Sequence, residues 1–256
     1  MNALKENIAE FSSAVIAFSG GVDSTFLAAV ARQVLPGKVL LVTANSSFFP
    51  QSESEQSARI AQTLDVPHLM LRIDEQKTGL FATTSRERCY YCKRAFFEQI
   101  RILAARQGYS VVMDGSNVDD LQDYRPGLRA LKELDIRSPL CETAFSKKEI
   151  REFSRQMELP TAEKPSMACL VSRFPYGENI TKSKLRRVEL SEEKIRALGI
   201  HQLRVRSHDN LARIEVDPCE LGRAFEMREE ISEICTNAGF TFVSLDLDGY
   251  RSGAMN

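Results

Sequence analysis

Apolar positions along the chain follow two different patterns. Short, wholly apolar runs such as AVIAF at 14–18 are typical of strands buried on both faces of a sheet. Longer stretches with an apolar residue every three or four positions predict amphipathic helices. The runs predict strands at 14–18, 38–45, 68–74 and 110–117, and the stretches predict helices at 1–11, 24–35, 52–64, about 92–107 and about 147–157. This alternation predicts an α/β fold whose parallel sheet is covered on both sides.

The pattern changes near residue 180. A charged amphipathic helix at 183–198 is followed by two short strands within 201–216, which are joined by a turn at Ser207–Asn210. Two helical stretches and a last strand at 240–250 come after them. We therefore place a domain boundary near Ile180–Ser183. The prediction is a large domain over 1–180 and a small α+β domain over 181–256.

Composition narrows the class of protein. The chain has 256 residues and a net charge of −1, from 34 basic and 35 acidic residues, which argues against a nucleic-acid partner. No run has the apolar length that would span a bilayer, so we expect no membrane partner. Glu6 and Glu10 lie in a start without an apolar block, which does not fit a signal peptide. We expect a cytoplasmic protein, in which six cysteines are not a disulfide framework.

The stretch AFSGGVDSTFL, at 17–27, connects the first buried strand to a helix. The amides of that first helical turn and the positive end of the helix dipole form an anion site. Gly20 and Gly21 let the backbone approach the anion without a Cβ atom in the way. Ser19, Ser24 and Thr25 add hydroxyl donors beside these glycines, and Asp23 adds a carboxylate suited to Mg²⁺. The lysine of a Walker loop is missing from this sequence.

This stretch resembles the PP-loop of the ATP pyrophosphatases, a family with a HUP-type α/β fold. The resemblance implies that ATP is cleaved between its α and β phosphates while AMP activates an acceptor oxygen. The loop then holds the leaving pyrophosphate, which fits the missing lysine. It implies ATP-binding roles for Ser19, Gly20, Gly21, Val22, Asp23, Ser24 and Thr25.

Further stretches resemble a narrower group, the LarE-type sulfur transferases of nickel-pincer nucleotide synthesis, over nearly the whole chain. They are RCYYCKRAFFEQI (88–100), DGSNVDDLQDYRPGLRAL (114–131), KPSMACLVSRFPYGENIT (164–181), LRVRSHDNLARIEV and LDLDGYRSGAMN. The resemblance implies that ATP adenylates a carboxylate of pyridinium biscarboxylic acid mononucleotide. A sulfur nucleophile then displaces AMP and leaves a thiocarboxylate. It also implies a homo-oligomer, a hexamer.

The sulfur source is open between several hypotheses. Cys89 and Cys92 have C-x-x-C spacing, which suits zinc, a redox pair or a cluster. With Cys169 they can hold three irons of a 4Fe–4S cluster, whose fourth iron binds hydrosulfide. In the sacrificial version that the resemblance implies, Cys169 is itself the nucleophile, and breaking its C–S bond leaves dehydroalanine. Zinc or inert thiols are the third hypothesis.

Several polar residues are candidates for substrate or nucleotide contacts. The loop after the fourth strand resembles the family's active-site loop, which implies ligand contacts for Gly115, Ser116 and Asn117. Its acids, Asp119, Asp120 and Asp123, are candidates for metal or base roles, or cap turns. Arg125 is an anion contact or a surface residue. Arg173 and Tyr176 follow Cys169 closely and contact substrate if Cys169 lies at the chemistry.

A group of arginines lies in the predicted small domain. Arg204 and Arg206 point the same way from one strand, and Arg213 lies on the next strand. They would clamp a substrate phosphate, or form a solvated strand face. Asp246 and Asp248 share this alternation and are candidate partners for them.

Three other functions remain as alternatives. A tRNA thiolation enzyme shares the PP-loop, but the balanced charge argues against it. An ammonia-using synthetase, such as NAD or GMP synthetase, needs neither Cys169 nor the C-x-x-C pair. A non-catalytic ATP-binding module would bind ATP without releasing AMP or pyrophosphate. We expect ATP and Mg²⁺ as cofactors, a 4Fe–4S cluster as the first hypothesis for the sulfur carrier, and a small nucleotide substrate.

Overall fold

The computed structural model describes residues 1–73, 75, 85–122, 126–165 and 168–251. These residues form two compact units, one of residues 1–73, 75, 86–122 and 126–165, the other of residues 85 and 168–251. Among the described residues, no helix combines the length and the apolar character that crossing a bilayer requires.

The first unit is built on a four-stranded parallel sheet in the order β3-β2-β1-β4. Its strands are β1 Ala14–Ala17, β2 Val39–Asn45, β3 His68–Arg72 and β4 Val111–Met113. Its helices are α1 Asn2–Ala9, α2 Val22–Val34, α3 Gln51–Thr63, α4 Arg88–Gln107, α5 Pro126–Glu133, α6 Pro139–Glu142 and α7 Lys147–Gln156. A short 3-10 helix covers Val118–Gln122.

The central strand β1 is apolar throughout because both of its faces are buried. Ala14 and Ile16 belong to the core under α1, α2 and α7, whereas Val15 belongs to the core under α4 and α5. Strand side chains alternate between the two faces, so consecutive apolar residues serve opposite helix layers. The predicted α/β fold with a parallel sheet is confirmed.

Some element boundaries differ from the prediction. Helix α4 begins at Arg88 rather than near Cys92, so both cysteines of the C-x-x-C pair lie on the helix. Strand β4 ends at Met113, so Asp114–Asn117 form a loop rather than the end of a strand. Helices α5 and α6 were missed because each is only one or two turns long, which is too short for periodicity to detect.

The second unit holds a three-stranded mixed sheet in the order β5-β6-β7. Its elements are α8 Lys182–Ala197, β5 Leu203–His208, β6 Leu211–Val216, α9 Leu221–Glu226, α10 Arg228–Asn237 and β7 Phe242–Leu245, with 3-10 helices at Leu170–Arg173 and Pro218–Glu220. β5 pairs antiparallel with β6 through the predicted turn, and β6 pairs parallel with β7. This is a small α+β unit.

A buried ion pair ties the segment after Cys169 to the second unit. Arg173 Nε and Nη2 donate to the two carboxylate oxygens of Glu192 in α8, at 2.8 and 3.0 Å. The side chains are 0% and 1% exposed. The units therefore divide before Cys169, whereas the sequence placed the boundary near residue 180. The periodicity of apolar residues does not show that this segment belongs to the second unit, because the ion pair that holds it there joins residues far apart in the sequence.

Burial of Glu192 alone would raise the pKa of its carboxyl, but the charge and hydrogen bonds of Arg173, with Arg196 and the Val205 N–H, lower that pKa to about 2. In the unfolded chain it returns to the ordinary 4.5. The stabilisation is therefore complete above pH 4.5 and is lost as the pH falls from there towards 2.

We expect Glu192→Gln to lower the free energy of unfolding by about 3–5 kcal/mol at neutral pH, because it leaves the Arg173 cation buried without a counter-charge. Its unfolding midpoint should also depend less on pH below 4.5 than that of the wild type. Chemical denaturation across this pH range measures both effects. The neighbouring exposed Glu193→Gln is the control. Equal pH dependence in the wild type and Glu192→Gln would contradict the assignment.

Candidate functional site

The strand order places the candidate site at one edge of the parallel sheet. The chain passes from β1 to β2 on one side, whereas β4 pairs with β1 on the other side. In open parallel sheets such a reversal leaves a crevice beyond the carboxyl ends of the strands, where ligands bind. The loops that follow β1 and β4 meet at this crevice.

The loop after β1 turns sharply at Gly20, whose φ of +66° favours glycine. A Cβ atom at Gly20 would lie 3.0 Å from Ser57 Cα and 3.1 Å from Ser57 Cβ in α3. Gly21 is the N-cap of α2, so the helix begins two residues earlier than predicted, at Val22. The loop therefore delivers the chain directly to a helix N-terminus, with α3 packed behind it.

The loop after β4 closes on the same helix end. A Cβ atom at Gly115 would lie 3.1 Å from the amide nitrogen and 3.2 Å from Cα of Ser24. A side chain at this position would therefore require the loop or α2 to shift by a few tenths of an ångström. The close approach brings Ser116 and Asn117 beside the first turn of α2. The structure thus brings together two groups of residues that the sequence had assigned separately to nucleotide binding.

Hydroxyl groups hold the phosphate loop in shape. Ser24 Oγ donates to Gly21 O at 3.2 Å and accepts from Ser19 N at 3.3 Å. Ser19 Oγ lies 3.2 Å from Ser24 Oγ and accepts from Gly21 N at 3.3 Å. Thr25 differs from the prediction, since its side chain is fully buried below the loop. Its hydroxyl oxygen has no hydrogen-bond partner within the described residues.

Asp23 is the charged side chain of the loop, and both of its carboxylate oxygens have partners. The ammonium group of Lys147, the first residue of α7, forms an ion pair with Asp23 Oδ2. Asn117 Nδ2 donates to the other oxygen, Oδ1, at 3.2 Å. Sequence reasoning missed Lys147, although it found Asp23 and Asn117, because no local signal links positions 23 and 147.

A second lysine contacts the loop from another direction. Lys164 Nζ donates to the carbonyl oxygen of Gly20 at 3.1 Å and to Glu53 Oε2 at 2.7 Å. The Lys164 side chain is only 10% exposed. Glu53 lies in the first turn of α3, whose dipole favours a negative charge there. Lys164 therefore fastens the turn at Gly20 to α3, a contact that the sequence did not indicate.

A cavity of about 330 Å³ opens on the loop, which is within the range of small-molecule sites. Its lining combines apolar and aromatic side chains with polar and charged groups of the two loops and of α4. The lining residues are Ala17, Phe18, Ser19, Asp23, Ser24, Thr43, Ala44, Phe49, Glu53, Ser54, Ile73, Cys92, Lys93, Phe96, Phe97, Asp114, Gly115, Ser116 and Asp120. The arrangement suits a ligand with a flat apolar end and an anionic end.

Asp114 is the buried acid of this cavity. Its carboxylate accepts from Ser116 Oγ at 2.6 Å and from Ser138 Oγ at 2.5 Å. Lys93 Nζ lies 3.5 Å from its Oδ2. Asp119 and Asp120, the predicted metal or base candidates, instead accept backbone N–H groups, Lys147 N at 2.7 Å and Asn117 N at 3.1 Å respectively. Both acids thus order the loop around Asn117.

A histidine supports the phosphate loop from β3. Thr43 Oγ1 donates to Phe18 O at 2.6 Å, so it accepts from His68 Nε2, which lies at 2.8 Å. Burial lowers the pKa of His68, which favours this neutral ring. The sequence indicated no site role for His68, because a lone histidine at the start of a strand has no ligand spacing.

The predicted metal cysteines are distributed over both units. Cys89 and Cys92 lie one turn apart on α4, and Cys92 lines the cavity. Cys169 belongs to the second unit, where its carbonyl accepts from Arg173 Nη1 at 3.1 Å. Within the part of the chain that the structure describes, no three His, Cys, Asp or Glu side chains form a group that could hold a metal ion.

Among the predicted substrate arginines, Arg206 and Arg213 form ion pairs inside the second unit. Arg206 and Arg213 both contact Glu215, at 2.8 and 3.1 Å. Arg213 also pairs with Asp246 at 3.1 Å, as the sequence suggested, whereas Asp248 pairs with Arg251. Arg204 is buried against the ring of Tyr250, and burial lowers its pKa. These arginines are therefore not a solvated strand face, and their role towards substrate stays a prediction.

Three further predicted site residues are Tyr176, Asp123 and Arg125, of which the structure describes Tyr176. Tyr176 is half-buried in the second unit, three residues after Arg173. Asp123 and Arg125 lie outside the described residues. Of the thiols in the second unit, Cys235 is buried, which raises its pKa to about 11, whereas Cys219 is exposed.

Comparison with known proteins agrees with this geometry. Residues 2–109 match the family model described as NAD synthase, which covers the phosphate loop. Pyridinium-3,5-bisthiocarboxylic acid mononucleotide synthase of Lactiplantibacillus plantarum is 34% identical over 94% of this chain and 88% of its own. Uncharacterized proteins of Synechocystis sp. and Methanocaldococcus jannaschii are 42% and 31% identical, over 99% and 98% of this chain and 95% of theirs.

The parallel sheet, the loop at the α2 N-terminus and the adjoining cavity define an ATP-using enzyme of the PP-loop class with a HUP-like fold. Within that class, the chain belongs to the LarE family, the family of the L. plantarum synthase. The resemblance noted in the sequence is confirmed.

We expect Gly20→Ala to weaken pyrophosphate binding at least tenfold and to destabilise the protein. The added methyl group meets the backbone of Ser57, and the positive φ is strained for alanine. Gly37→Ala is a matched control, because Gly37 has a φ of +70° but nothing within 4 Å of its added Cβ. Calorimetric titration with pyrophosphate measures the difference. If both variants bind equally, contact with α3 does not shape the loop.

Proposed function

We propose that the protein is an ATP-dependent, AMP- and pyrophosphate-forming sulfurtransferase. It adenylates a carboxylate of pyridinium biscarboxylic acid mononucleotide and converts it to a thiocarboxylate for nickel-pincer nucleotide synthesis. The observation that carries this proposal is the intact phosphate loop on the cavity wall, in a chain 34% identical over 94% of its length to a synthase of the bisthiocarboxylic acid mononucleotide.

The cavity supports nucleotide binding through two kinds of group in its lining, aromatic rings and hydrogen-bond donors. Phe18, Phe49 and Phe96 offer aromatic surface to a purine ring. The first-turn amides of α2 and the hydroxyl groups of Ser19 and Ser24 offer hydrogen bonds to phosphate oxygens. A nucleotide that uses both kinds of group would place its phosphates at the N-terminus of α2.

The proposed reaction has two displacements. The substrate carboxylate attacks the α-phosphorus of ATP, the bond from that phosphorus to the β-bridging oxygen breaks, and pyrophosphate leaves. A sulfur nucleophile then attacks the acyl carbon of the adenylate, and AMP leaves with the carbon–oxygen bond electrons. Hydrosulfide gives the thiocarboxylate directly, whereas the Cys169 thiolate gives a thioester. In that case a base removes the α-proton of Cys169, its Cβ–S bond breaks, and the thiocarboxylate leaves while dehydroalanine remains in the chain. The loop supports the first displacement because the fixed donors of the α2 N-terminus stabilise the charge that develops on pyrophosphate.

The residues present fit a magnesium ion at the phosphates. Asp23 offers carboxylate oxygens at the start of α2, and Mg²⁺ is usually held by one or two carboxylates and the substrate phosphates. When bound there, the ion would neutralise phosphate charge. Asn117 keeps the Asp23 carboxylate oriented through its hydrogen bond to Oδ1.

We expect Asp23→Asn to reduce AMP and pyrophosphate formation by about 10²–10³-fold, because the phosphates lose their carboxylate-held counter-charge. The assay contains ATP, Mg²⁺ and the pyridinium substrate, and both products are quantified. Asp65→Asn is the matched control, since the Asp65 side chain is 88% exposed and pairs with Arg32 away from the cavity.

The same assay separates the alternatives. ATP binding without AMP or pyrophosphate release by the wild type would favour the non-catalytic module. Salt-sensitive retention of tRNA, with turnover only when tRNA is present, would favour the tRNA thiolation enzyme. Turnover that needs ammonia and no sulfur source would favour an NAD or GMP synthetase.

The sulfur source needs its own experiment, because the cluster and the sacrificed Cys169 predict different measurements. For the cluster, anaerobic purification should give iron and sulfide that are lost in Cys89→Ala, Cys92→Ala and Cys169→Ala. The exposed Cys219→Ala should keep them. For the sacrificial route, the wild-type chain should become lighter by one H₂S after turnover.

Each hypothesis for the sulfur source can be excluded by one result. An unchanged chain mass after many turnovers excludes sacrifice of Cys169, and absence of iron and sulfide from the anaerobic wild type excludes the cluster. A fully active Cys169→Ala variant would contradict both hypotheses, because each requires the Cys169 sulfur.

The second unit has two proposed roles. Tyr176, Arg204, Arg206 and Arg213 are the proposed substrate contacts, and the unit contributes to a hexamer. Arg173, whose side chain is 0% exposed in its pair with Glu192, instead positions the segment after Cys169. Light scattering on the purified protein tests the hexamer, and Arg206→Gln tests substrate contact through the KM for the pyridinium mononucleotide. Since Arg206 pairs with buried Glu215, thermal unfolding of the variant must be measured alongside.

A further inference from the structure

The segment that precedes Cys169 is fastened to the first unit by an arginine of α7. Arg151 Nη2 donates to the carbonyl oxygen of Lys164 at 2.9 Å, and Arg151 Nη1 donates to the carbonyl oxygen of Ala162. The donors of a guanidinium group have a fixed geometry, so two bonds to one segment fix its direction as well as its position. The stretch that comes just before Cys169 is therefore held at defined points.

The same segment is bound to the phosphate loop by its own lysine. Lys164 Nζ donates to Gly20 O at 3.1 Å and to Glu53 Oε2 at 2.7 Å. The Lys164 side chain is 10% exposed and that of Glu53 20%, so solvent and salt screen this pair less than they screen a surface pair. Lys164 thus joins the segment directly to the turn at Gly20 and, through Glu53, to the start of α3.

Helix α7 connects this segment to the first turn of α2 as well. Lys147 and Arg151 are one helical turn apart, so they lie on the same face of α7. Lys147 pairs with Asp23 in the phosphate loop, whereas Arg151 binds the segment before Cys169. One helix therefore sets the distance between the phosphate loop and that segment.

The backbone at Cys169 itself is held inside the second unit. Arg173 Nη1 donates to Ala168 O at 2.9 Å and to Cys169 O at 3.1 Å, while Arg173 is also paired with Glu192. Only four residues lie between Lys164 and Cys169. The five steps of chain from one to the other span at most about 18 Å, so the anchor at Lys164 limits how far the Cys169 sulfur can lie from the phosphate loop.

We infer that Arg151 and Lys164 position the Cys169 sulfur for the transfer step, because they hold the segment that leads to it against the phosphate loop. This inference rests on the proposed function, in which sulfur that requires Cys169 reaches the acyl-adenylate. Both residues act through the segment, so both are positioning residues. Arg151 binds the segment, whereas Lys164 also binds the loop. Loss of Arg151 should therefore affect the second displacement and spare the first.

The position of the sulfur matters because two nucleophiles can attack the acyl-adenylate. A sulfur atom held at attacking distance reacts before water does, and a misplacement of about 1 Å can slow such a step about 10²-fold. Water then attacks the acyl carbon instead, which returns the carboxylate and releases AMP. A chain with a misplaced Cys169 would therefore consume ATP without making the thiocarboxylate.

Two measurements separate the two displacements. Exchange of radiolabelled pyrophosphate into ATP, in the presence of the pyridinium substrate, reports the first and needs no sulfur. The thiocarboxylate formed per AMP in the first turnover, with stoichiometric sulfide, reports the second. We expect Arg151→Gln to leave the exchange unchanged and to lower the thiocarboxylate yield per AMP at least about tenfold. The exposed neighbour variant Lys148→Met should match the wild type in both measurements.

A change in chain length tests the same point without removing either side chain. Two glycines inserted between Lys164 and Pro165 keep the side chains of Arg151 and Lys164 but lengthen the chain that leads to the sulfur. We expect the same fall in thiocarboxylate yield per AMP, again with the exchange retained. The same insertion after Gly37, in the exposed turn between α2 and β2, is the control.

The possible failures are distinguishable. A wild-type thiocarboxylate yield in Arg151→Gln, or an equal fall in exchange and yield, would overturn the positioning role and leave the proposed function intact. A wild type that makes no thiocarboxylate would overturn the proposed function, and the positioning role with it. Thermal unfolding shows whether Arg151→Gln is folded, and if it is not, a wild-type yield in the insertion variant at Lys164 overturns the role.

Discussion

The candidate site depends on the close approach of three backbone segments at one helix end. Gly20 lies against Ser57 of α3, and Gly115 lies against Ser24 of α2, both within about van der Waals distance of where a Cβ atom would be. A side chain at either glycine would push the segments apart. The helix N-terminus is therefore held between two loops at the crevice, and helix geometry leaves its first amides without acceptors inside the helix.

Charges in the two units are compensated in different ways. Beside the phosphate loop, Asp23 and Lys147 are partly exposed, so water or a ligand can replace one partner at modest cost. In the second unit, Glu192 and Glu215 are 1% exposed and are surrounded by arginines, so removing one partner leaves a buried charge. The first arrangement suits binding and release of an anion, and the second suits a rigid scaffold.

Local patterns predicted the parts of the fold that local physics forms. The apolar run AVIAF became the central strand because both faces of β1 are buried, and SGGVDST became the loop and first turn of α2. Patterns failed where distant residues decide the structure. Lys147 meets Asp23 across 124 positions and Lys164 meets Gly20 across 144, and neither lysine stands in a motif that indicates the contact.

The amino-acid sequence by itself therefore determined the α/β class, the phosphate loop and the family, because strand burial, a glycine turn and helix capping act between neighbours in the chain. Tertiary structure decided which charges surround that loop. It also placed Cys92 on the cavity wall and Cys169 in the second unit, and it buried Arg206 and Glu215 as a pair. Those outcomes depend on how helices pack against the sheet, and packing joins residues whose separation in sequence carries no local signal.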